Sequence, residues 1–287
     1  MELVTGENDE GRRLDRILRK ALPDHPLPLI HRLLRRKLVF IDGKPAKAQD
    51  RVCSGVKISI PSLKDVPKTA PPNPSLPSPA IVWEGPGLIA VNKPAGLEAH
   101  GKKSLDEMVR SFLSDKISPS LSFKPGPLHR LDKPSSGIVV FSTNIDGARI
   151  FSALMREQKV KKTYLAVVEG NVEKEEVWED ALVRDREIKK TFVAPEGKNA
   201  VTAIKPLACK GGYSLVIAQI ATGRTHQIRA QAAARGHPLA GDKKYGGQGK
   251  DGLFLHAWKL EFLEYSIEAP PPEAFKKKIS EFFGISI

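Results

Sequence analysis

Seven prolines fall within the nineteen positions 61–79, PSLKDVPKTAPPNPSLPSP. Proline fixes φ and lacks a backbone donor, so neither a helix nor a central strand continues through this stretch. It reads as a semi-extended linker over 63–80, separating a small module at 1–62 from a large one at 81–287. A structureless loop of this length inside one compact domain is uncommon, and two domains are expected. Hydrophobic residues make up 40% of the chain beside 23 glycines, enough for packed cores and too many for general disorder. No run of 18 apolar residues occurs, so no spanning helix and no membrane partner are expected. The start, MELVTGENDEGRRLDR, is acidic and polar where a secretory signal is basic and then apolar. Cys53 and Cys209 share no ligand-like spacing, which argues against a disulfide scaffold or a cysteine-based zinc site and fits the cytoplasm. The 46 Lys and Arg exceed the 33 Asp and Glu by 13. That surplus favours a polyanionic partner: RNA, DNA or an anionic membrane surface.

In the small module, Leu14, Ile17, Leu18 and Leu22 recur at helical spacing before Pro23. A second helix is expected over Leu27 to Lys37, with Ile30, Leu33 and Leu34 on one face and Arg32, Arg35 and Arg36 on the opposite one. Val39-Phe40-Ile41 followed by Asp42-Gly43 predicts a hairpin, and Val56–Ile60 alternates as a strand. Residues 1–62 hold 13 Lys and Arg against 8 Asp and Glu. Fixed cations along a helix can track phosphates, although a charged helix face is often only solvated. The segments LDRILRKAL and LIHRLLRRKLVFIDGKPAK resemble the small RNA-binding domain first seen in a small-subunit ribosomal protein, the S-four-like domain. The resemblance turns the charge argument towards structured RNA and makes Arg32, Arg35 and Arg36 candidate RNA contacts.

In the large module, Ile81–Trp83 and Leu88–Val91 read as strands around a turn, and Ser104–Glu107 as a capping box opening a helix. Ile138–Phe141, Tyr164–Val168 and Leu215–Ile220 look like buried strands, with a helix of about Asp146 to Glu157 between the first two. Strands outnumber helices without alternating regularly with them. The expected class is α+β: a mixed or antiparallel sheet with peripheral helices, preceded by the small α+β module.

The densest chemistry is LHRLDKPSSGIVVFS, residues 128–142. Asp132 stands among His129, Arg130 and Lys133, cations that favour its charged form as a nucleophile or general base. Pro134-Ser135-Ser136-Gly137 places it in a loop before a buried strand. An aspartate in a turn often merely bonds its own backbone. In ATGRTHQIRAQAAARGHPLAGDKKYGG, residues 221–247, Thr225 is a candidate helix N-cap and Gly236 a C-terminal stop. His226 and Arg229 then share a helix face near the N-terminus, where free N–H groups and Arg224 form an anion site. A capped surface helix with routine charges is the bland alternative. Tyr164, in KKTYLAVVEG, would by itself be a core tyrosine.

The segments VNKPAGLEAHG, LHRLDKPSSG, KKTYLAVVEG, TGRTHQIR, GHPLAGDKKYGG and LHAW, taken in this order over about 81–265, resemble the RluA-type pseudouridine synthases. With the S-four-like resemblance ahead of them, they match the two-domain subtype acting on large-subunit ribosomal RNA. The resemblance implies that Asp132 begins uridine isomerisation. It implies that Tyr164 stacks on the base and serves the proton chemistry, and that Arg229 pairs with Asp132. Arg130 would fill the gap left by a flipped-out uridine, and Leu255 would pack beneath the base. His129, Arg224 and His226 are further candidate substrate contacts. Base flipping is also expected physically, because a glycosidic bond inside a stack is unreachable. Isomerisation needs no outside reactant, so no cofactor and no metal are expected, and a monomer is the expected state.

Four residues depart from the family pattern: Pro134 and Ser135 replace an acidic residue and threonine, Glu98 an apolar residue, and Gln231 a histidine. They put loop geometry and RNA contacts in question, not the reaction. Two other classes compete. A non-catalytic RNA-binding protein has no need of Asp132, Tyr164 and Arg229 together, and a glycosidase-like hydrolase wants a second carboxylate.

Overall fold

The computed structural model describes residues 1–61, 76–249 and 251–286. Most of the linker expected over 63–80 lies outside the described residues.

The first 61 residues form β1 (Glu2–Val4), a 3-10 turn (Glu7–Asp9), α1 (Leu14–Ala21), α2 (Leu27–Arg35), β2 (Phe40–Ile41), β3 (Lys44–Pro45) and β4 (Lys57–Ser59). The strands make an antiparallel sheet in the order β1-β4-β2-β3. Leu14, Ile17 and Leu18 of α1 and Ile30, Leu33 and Leu34 of α2 pack with Val39, Ile58 and Ile60 into one core, as the helical spacing predicts. α2 stops two residues short of Lys37. Lys37 turns left-handed (φ 56°), its N–H bonds Leu34 O, and the N–H of Leu38 bonds Leu33 O, a Schellman ending made without glycine. Asp42 (φ 46°) and Gly43 (φ 78°) make the tight turn of the predicted hairpin. β1 has too few residues to show a sequence period, and it exists by pairing Leu3 with Ile58.

The remaining chain forms β5 (Ile81–Gly85), β6 (Leu88–Lys93), α3 (Leu105–Leu113), β7 (Gly126–Pro127), β8 (Ser136–Ser142), α4 (Ile145–Arg156), β9 (Lys161–Glu169), β10 (Glu176–Arg184), β11 (Thr191–Val193), β12 (Lys198–Lys210), β13 (Tyr213–Ile220), α5 (Gln227–Ala234), β14 (Leu255–Phe262), β15 (Tyr265–Glu268) and α6 (Glu273–Phe283). Eleven strands share one sheet in the order β11-β10-β12-β13-β9-β14-β8-β6-β5, with β15 on β14 and β7 on β8. β8 pairs in parallel with β14, and the other described pairings are antiparallel. The class is α+β with a mixed sheet.

β8 is buried on both faces because helices cover both. Val139 and Phe141 pack towards Leu105 and Val109 of α3, while Ile138 and Val140 pack towards Phe151 and Leu154 of α4. This explains its continuous apolar run. At its start the backbones of β8 and β14 nearly touch. A Cβ on Gly137 (φ 115°) would fall 2.3 Å from Ala257 O, so only glycine fits. The result is a rigid strand that fixes the loop just before it, residues 128–135.

The two sheets are joined by side chains. The buried Asp9 accepts hydrogen bonds from Leu121 N at 2.9 Å, Ser122 N at 3.0 Å and Ser120 Oγ at 2.9 Å, and Arg12 Nη1 donates to Ser122 Oγ at 2.6 Å. Asn8 Oδ1 accepts from Ile145 N at the start of α4.

Candidate active site

Asp132 sits in the loop between β7 and β8, where Ser135 N closes a turn on its carbonyl at 3.1 Å. A second tie comes from Lys93 at the end of β6. Its fully buried ammonium donates to Pro94 O at 2.9 Å, Leu97 O at 2.8 Å and Lys133 O at 3.1 Å, stapling the Lys-Pro-Ala-Gly turn to the Asp132 loop. Burial pulls the Lys93 pKa down to about 8, against the pull of the Asp132 charge.

Arg229, on the first turn of α5, donates from Nη1 to Asp132 Oδ2 at 2.9 Å. Its other edge forks onto Asp242, Nε to Oδ2 at 2.7 Å and Nη2 to Oδ1 at 2.8 Å. Arg229 is buried, and burial would weaken its charge; the bonds to Asp242 and Asp132 more than compensate and raise its pKa. This leaves Asp132 oriented by Arg229, with its side chain 17% exposed.

His226 precedes α5 in a left-handed conformation (φ 55°) and is itself the N-cap position, so the expected cap at Thr225 is wrong by one residue. Asparagine, aspartate and histidine tolerate that conformation better than β-branched threonine. Tyr245 Oη accepts from Thr191 N at 2.8 Å, which aims its O–H at His226 Nδ1, 2.7 Å away. Arg184 Nη1 also approaches Nδ1, at 3.2 Å. Nδ1 therefore accepts, the proton resides on Nε2, and Nε2 lies 3.5 Å from Asp132 Oδ2. Burial, with Arg229, Arg184 and Lys244, lowers the His226 pKa despite Asp132 and keeps the ring neutral. The expected anion site at this helix start is partly consumed, because Arg224 N already donates to Gln227 Oε1 at 3.0 Å.

These groups border a cavity of about 290 Å³ shared by Asp132, Tyr164, His226, Arg229, Leu255 and Lys162. Burial first, then the Asp132 charge, raises the Tyr164 pKa and keeps the phenol protonated. Leu255 packs within the Tyr164 cluster. Arg130 is exposed at the rim, and Arg224, also exposed, donates from Nε to Asn199 O. His129 lines the cavity but is committed to the fold. Its Nε2 accepts from Val140 N at 3.1 Å, the ring stacks on Phe151, and burial pushes its pKa down to about 4. Arg32, Arg35 and Arg36 are exposed on α2 and do not border the cavity.

The departures from the family pattern find local partners. Glu98 pairs with Lys133 at 3.0 Å, and Ser135 is buried in the turn. Gln231 is buried, accepting from Thr202 Oγ1 at 2.6 Å and donating to Trp178 O at 2.9 Å and Asp180 Oδ2 at 2.8 Å. Asp242, Tyr245, Lys93 and Lys162 escape motif reasoning about single segments, since each acts across 13 or more residues or through a cavity wall.

The profile of the family described as RNA pseudouridylate synthase matches residues 87–234, from the turn before β6 to the end of α5. The chain belongs to that family. It is a pseudouridine synthase, an isomerase. Ribosomal large subunit pseudouridine synthase C of Vibrio vulnificus is similar at 32% identity, over 92% of this chain and 89% of the relative. The protein of that name from Escherichia coli K12 is 30% identical over 94% and 92%. Ribosomal large subunit pseudouridine synthase D of Nitrosomonas europaea is 32% identical over 91% and 80%. Among solved structures, human RNA Pseudouridylate Synthase Domain Containing 4 shares the synthase fold with a TM-score of 0.60 at 22% identity, covering 70% of this chain and 91% of that one.

Proposed function

We propose that this synthase isomerises uridines in large-subunit ribosomal RNA, using Asp132 on a base flipped out of its stack. The observation that carries the reading is the Asp132–Arg229 pair at 2.9 Å, which opens onto the cavity shared with Tyr164. Arg229 pairs with the carboxylate and aims it. Tyr164, a neutral phenol, stacks on the uracil and can pass a proton. Leu255 supports the ring from its apolar side, and Arg130 at the rim fills the vacated stack. The reaction breaks N1–C1′, turns the uracil and forms C5–C1′. A hydrolase is disfavoured because the second nearby carboxylate, Asp242, is buried and held by two bonds from Arg229, leaving no second free carboxylate at the cavity among the described residues.

Residues 1–62 act as the RNA-binding domain and 81–287 as the catalytic domain. Besides the α2 arginines, Arg16, Arg19 and Lys20 of α1 line a groove with His25, whose buried Nε2 has no partner among the described residues. These cations grip phosphates of structured RNA. The enzyme works as a cytoplasmic monomer. Among the described residues no helix is long and apolar enough to cross a membrane.

Asp132→Asn tests the assignment. Pseudouridine formation in ribosomal RNA, mapped by carbodiimide chemistry, should vanish while RNA affinity stays within a few-fold. Turnover at the wild-type rate would sink the role given to Asp132. Release of free uracil by the wild type would favour the hydrolase.

A further inference from the structure

Lys162 stands on β9 two residues before Tyr164, and side chains two apart on a strand share a face. Both border the cavity that holds Asp132. Lys162 is half-buried, and among the described residues its ammonium makes no hydrogen bond and no ion pair. It faces the segment leading into α5, where a Cβ on Gly223 would stand 3.5 Å from Nζ. Burial lowers its pKa, with no carboxylate to offset the cost. A cation held this way destabilises the fold unless something else occupies the cavity.

The other cations at the cavity are committed or peripheral. Arg229 gives Nε and Nη2 to Asp242 and Nη1 to Asp132. Arg224 is exposed and bonded to Asn199 O, and Arg130 is exposed at the rim. His129 and His226 are held neutral. Yet the reaction creates an anion there. When N1–C1′ breaks, its electron pair stays with uracil, whether Asp132 attacks C1′ or removes a ribose proton. The charge spreads over N1, O2 and O4. After the ring turns, C5 bonds to C1′ as the Asp132–C1′ bond breaks in the first route, or as Asp132 returns the ribose proton in the second. C5 then loses its proton while N1 gains one, so atoms and electrons balance without an outside reactant. In either route the negative charge passes from the Asp132 carboxylate to the departing uracil.

We infer that Lys162 is a further catalytic residue, whose Nζ donates to a uracil oxygen and stabilises the negative charge that develops as the glycosidic bond breaks. This rests on the reading of the cavity as the uridine site with Asp132 as the reacting carboxylate. A fixed donor aimed at developing charge in a partly dry cavity needs no reorganisation at the moment of reaction.

The test compares Lys162→Met and Lys162→Arg with wild type and Asp132→Asn in single-turnover pseudouridine formation, RNA affinity and melting temperature. The methionine variant should lose about a hundredfold or more in rate, bind RNA nearly as well, and melt no lower than wild type because an unpaired half-buried cation is gone. The arginine variant should recover part of the rate. With 5-fluorouridine at the target position, whose ring is the better anion, consumption of the nucleoside should separate wild type from the methionine variant by a smaller factor. A methionine variant that turns over like wild type, beside an inactive Asp132→Asn, overturns this inference alone. A methionine variant that loses RNA affinity in step with rate, or melts lower, makes Lys162 a binding or structural cation and also overturns it. An active Asp132→Asn overturns the underlying reading instead.

Discussion

Asp242 accepts two hydrogen bonds from Arg229, Nε to Oδ2 at 2.7 Å and Nη2 to Oδ1 at 2.8 Å, while its side chain is only 1% exposed. The guanidinium that orients Asp132 is thus itself oriented from behind. Removing one partner of a buried charged network costs about 3–5 kcal/mol, because the remaining charge cannot be rehydrated. Asp242→Ala should therefore destabilise by about that amount and reduce pseudouridine formation. Asp242→Asn, which keeps one acceptor, should do less on both counts. Urea denaturation and turnover check this, and an alanine variant within about 1 kcal/mol of wild type would contradict the buried network.

His129 gives a pH dependence with a definite sign. Its folded pKa, about 4, lies below the 6.5 of a free imidazole because the ring is buried and the Lys162 charge lies nearby. Between those values the unfolded chain holds the extra proton, so stability rises with pH across this window. The contribution is complete above about 6.5 and declines as the pH falls towards about 4, by at most about 1.4 kcal/mol per pH unit. His129→Gln should flatten the slope of unfolding free energy against pH between about 4 and 6.5. An unchanged slope would mean that the ring titrates normally in the fold.

What the sequence discloses follows the range of the interactions. α1, α2 and β8 were legible because Leu14, Ile17, Leu18 and the run Ile138–Phe141 encode burial within a few residues. Asp132 and Arg229 were legible because each stands in a dense motif. β12, thirteen residues long, escaped notice because its alternation is broken by Pro206 and by a bulge between Pro206 and Ala208. The cap at His226 was misplaced because threonine usually wins that position, whereas here Tyr245, nineteen residues later, holds the histidine. Lys162 gave no signal, since a lysine near a strand start normally points to water.

Residues 1–61 offer two cationic surfaces, and salt separates them. Arg32, Arg35 and Arg36 are exposed on α2, opposite the face that packs, so glutamine at all three should leave the domain folded. Arg16, Arg19 and Lys20 are exposed on α1 beside the groove with His25. Each phosphate contact contributes about 0.7–0.9 to the slope of log affinity against log salt. If both helices contact RNA, each triple variant should lower the slope by roughly 2–3 units, with turnover on a saturating short fragment little changed. A variant whose salt dependence superimposes on wild type removes its helix from the RNA interface.

Asp9 decides whether the proposed RNA grip is registered to the candidate active site. Its buried carboxylate accepts from Leu121 N at 2.9 Å, Ser122 N at 3.0 Å and Ser120 Oγ at 2.9 Å, groups of the part that bears the cavity, and from Gly6 N at 2.9 Å beside it in the chain. Burial alone would raise its pKa, but the bonds from Ser122, Gly6, Leu121 and Ser120 outweigh it and lower it. The clamp is accordingly complete above the ordinary aspartate range and weakens only as the pH falls through the lowered value. Asp9→Ala removes the acceptor of Leu121 N and one of the two acceptors of Ser122 N, and a buried donor left unsatisfied costs about 1–3 kcal/mol. The α1 and α2 cations would then lose their fixed position relative to the cavity. Amide hydrogen exchange at residues 120–123 should accelerate, and turnover on long structured RNA should fall while turnover on a short stem-loop holds. Unchanged exchange together with unchanged long-RNA turnover would mean that the domains dock without the carboxylate.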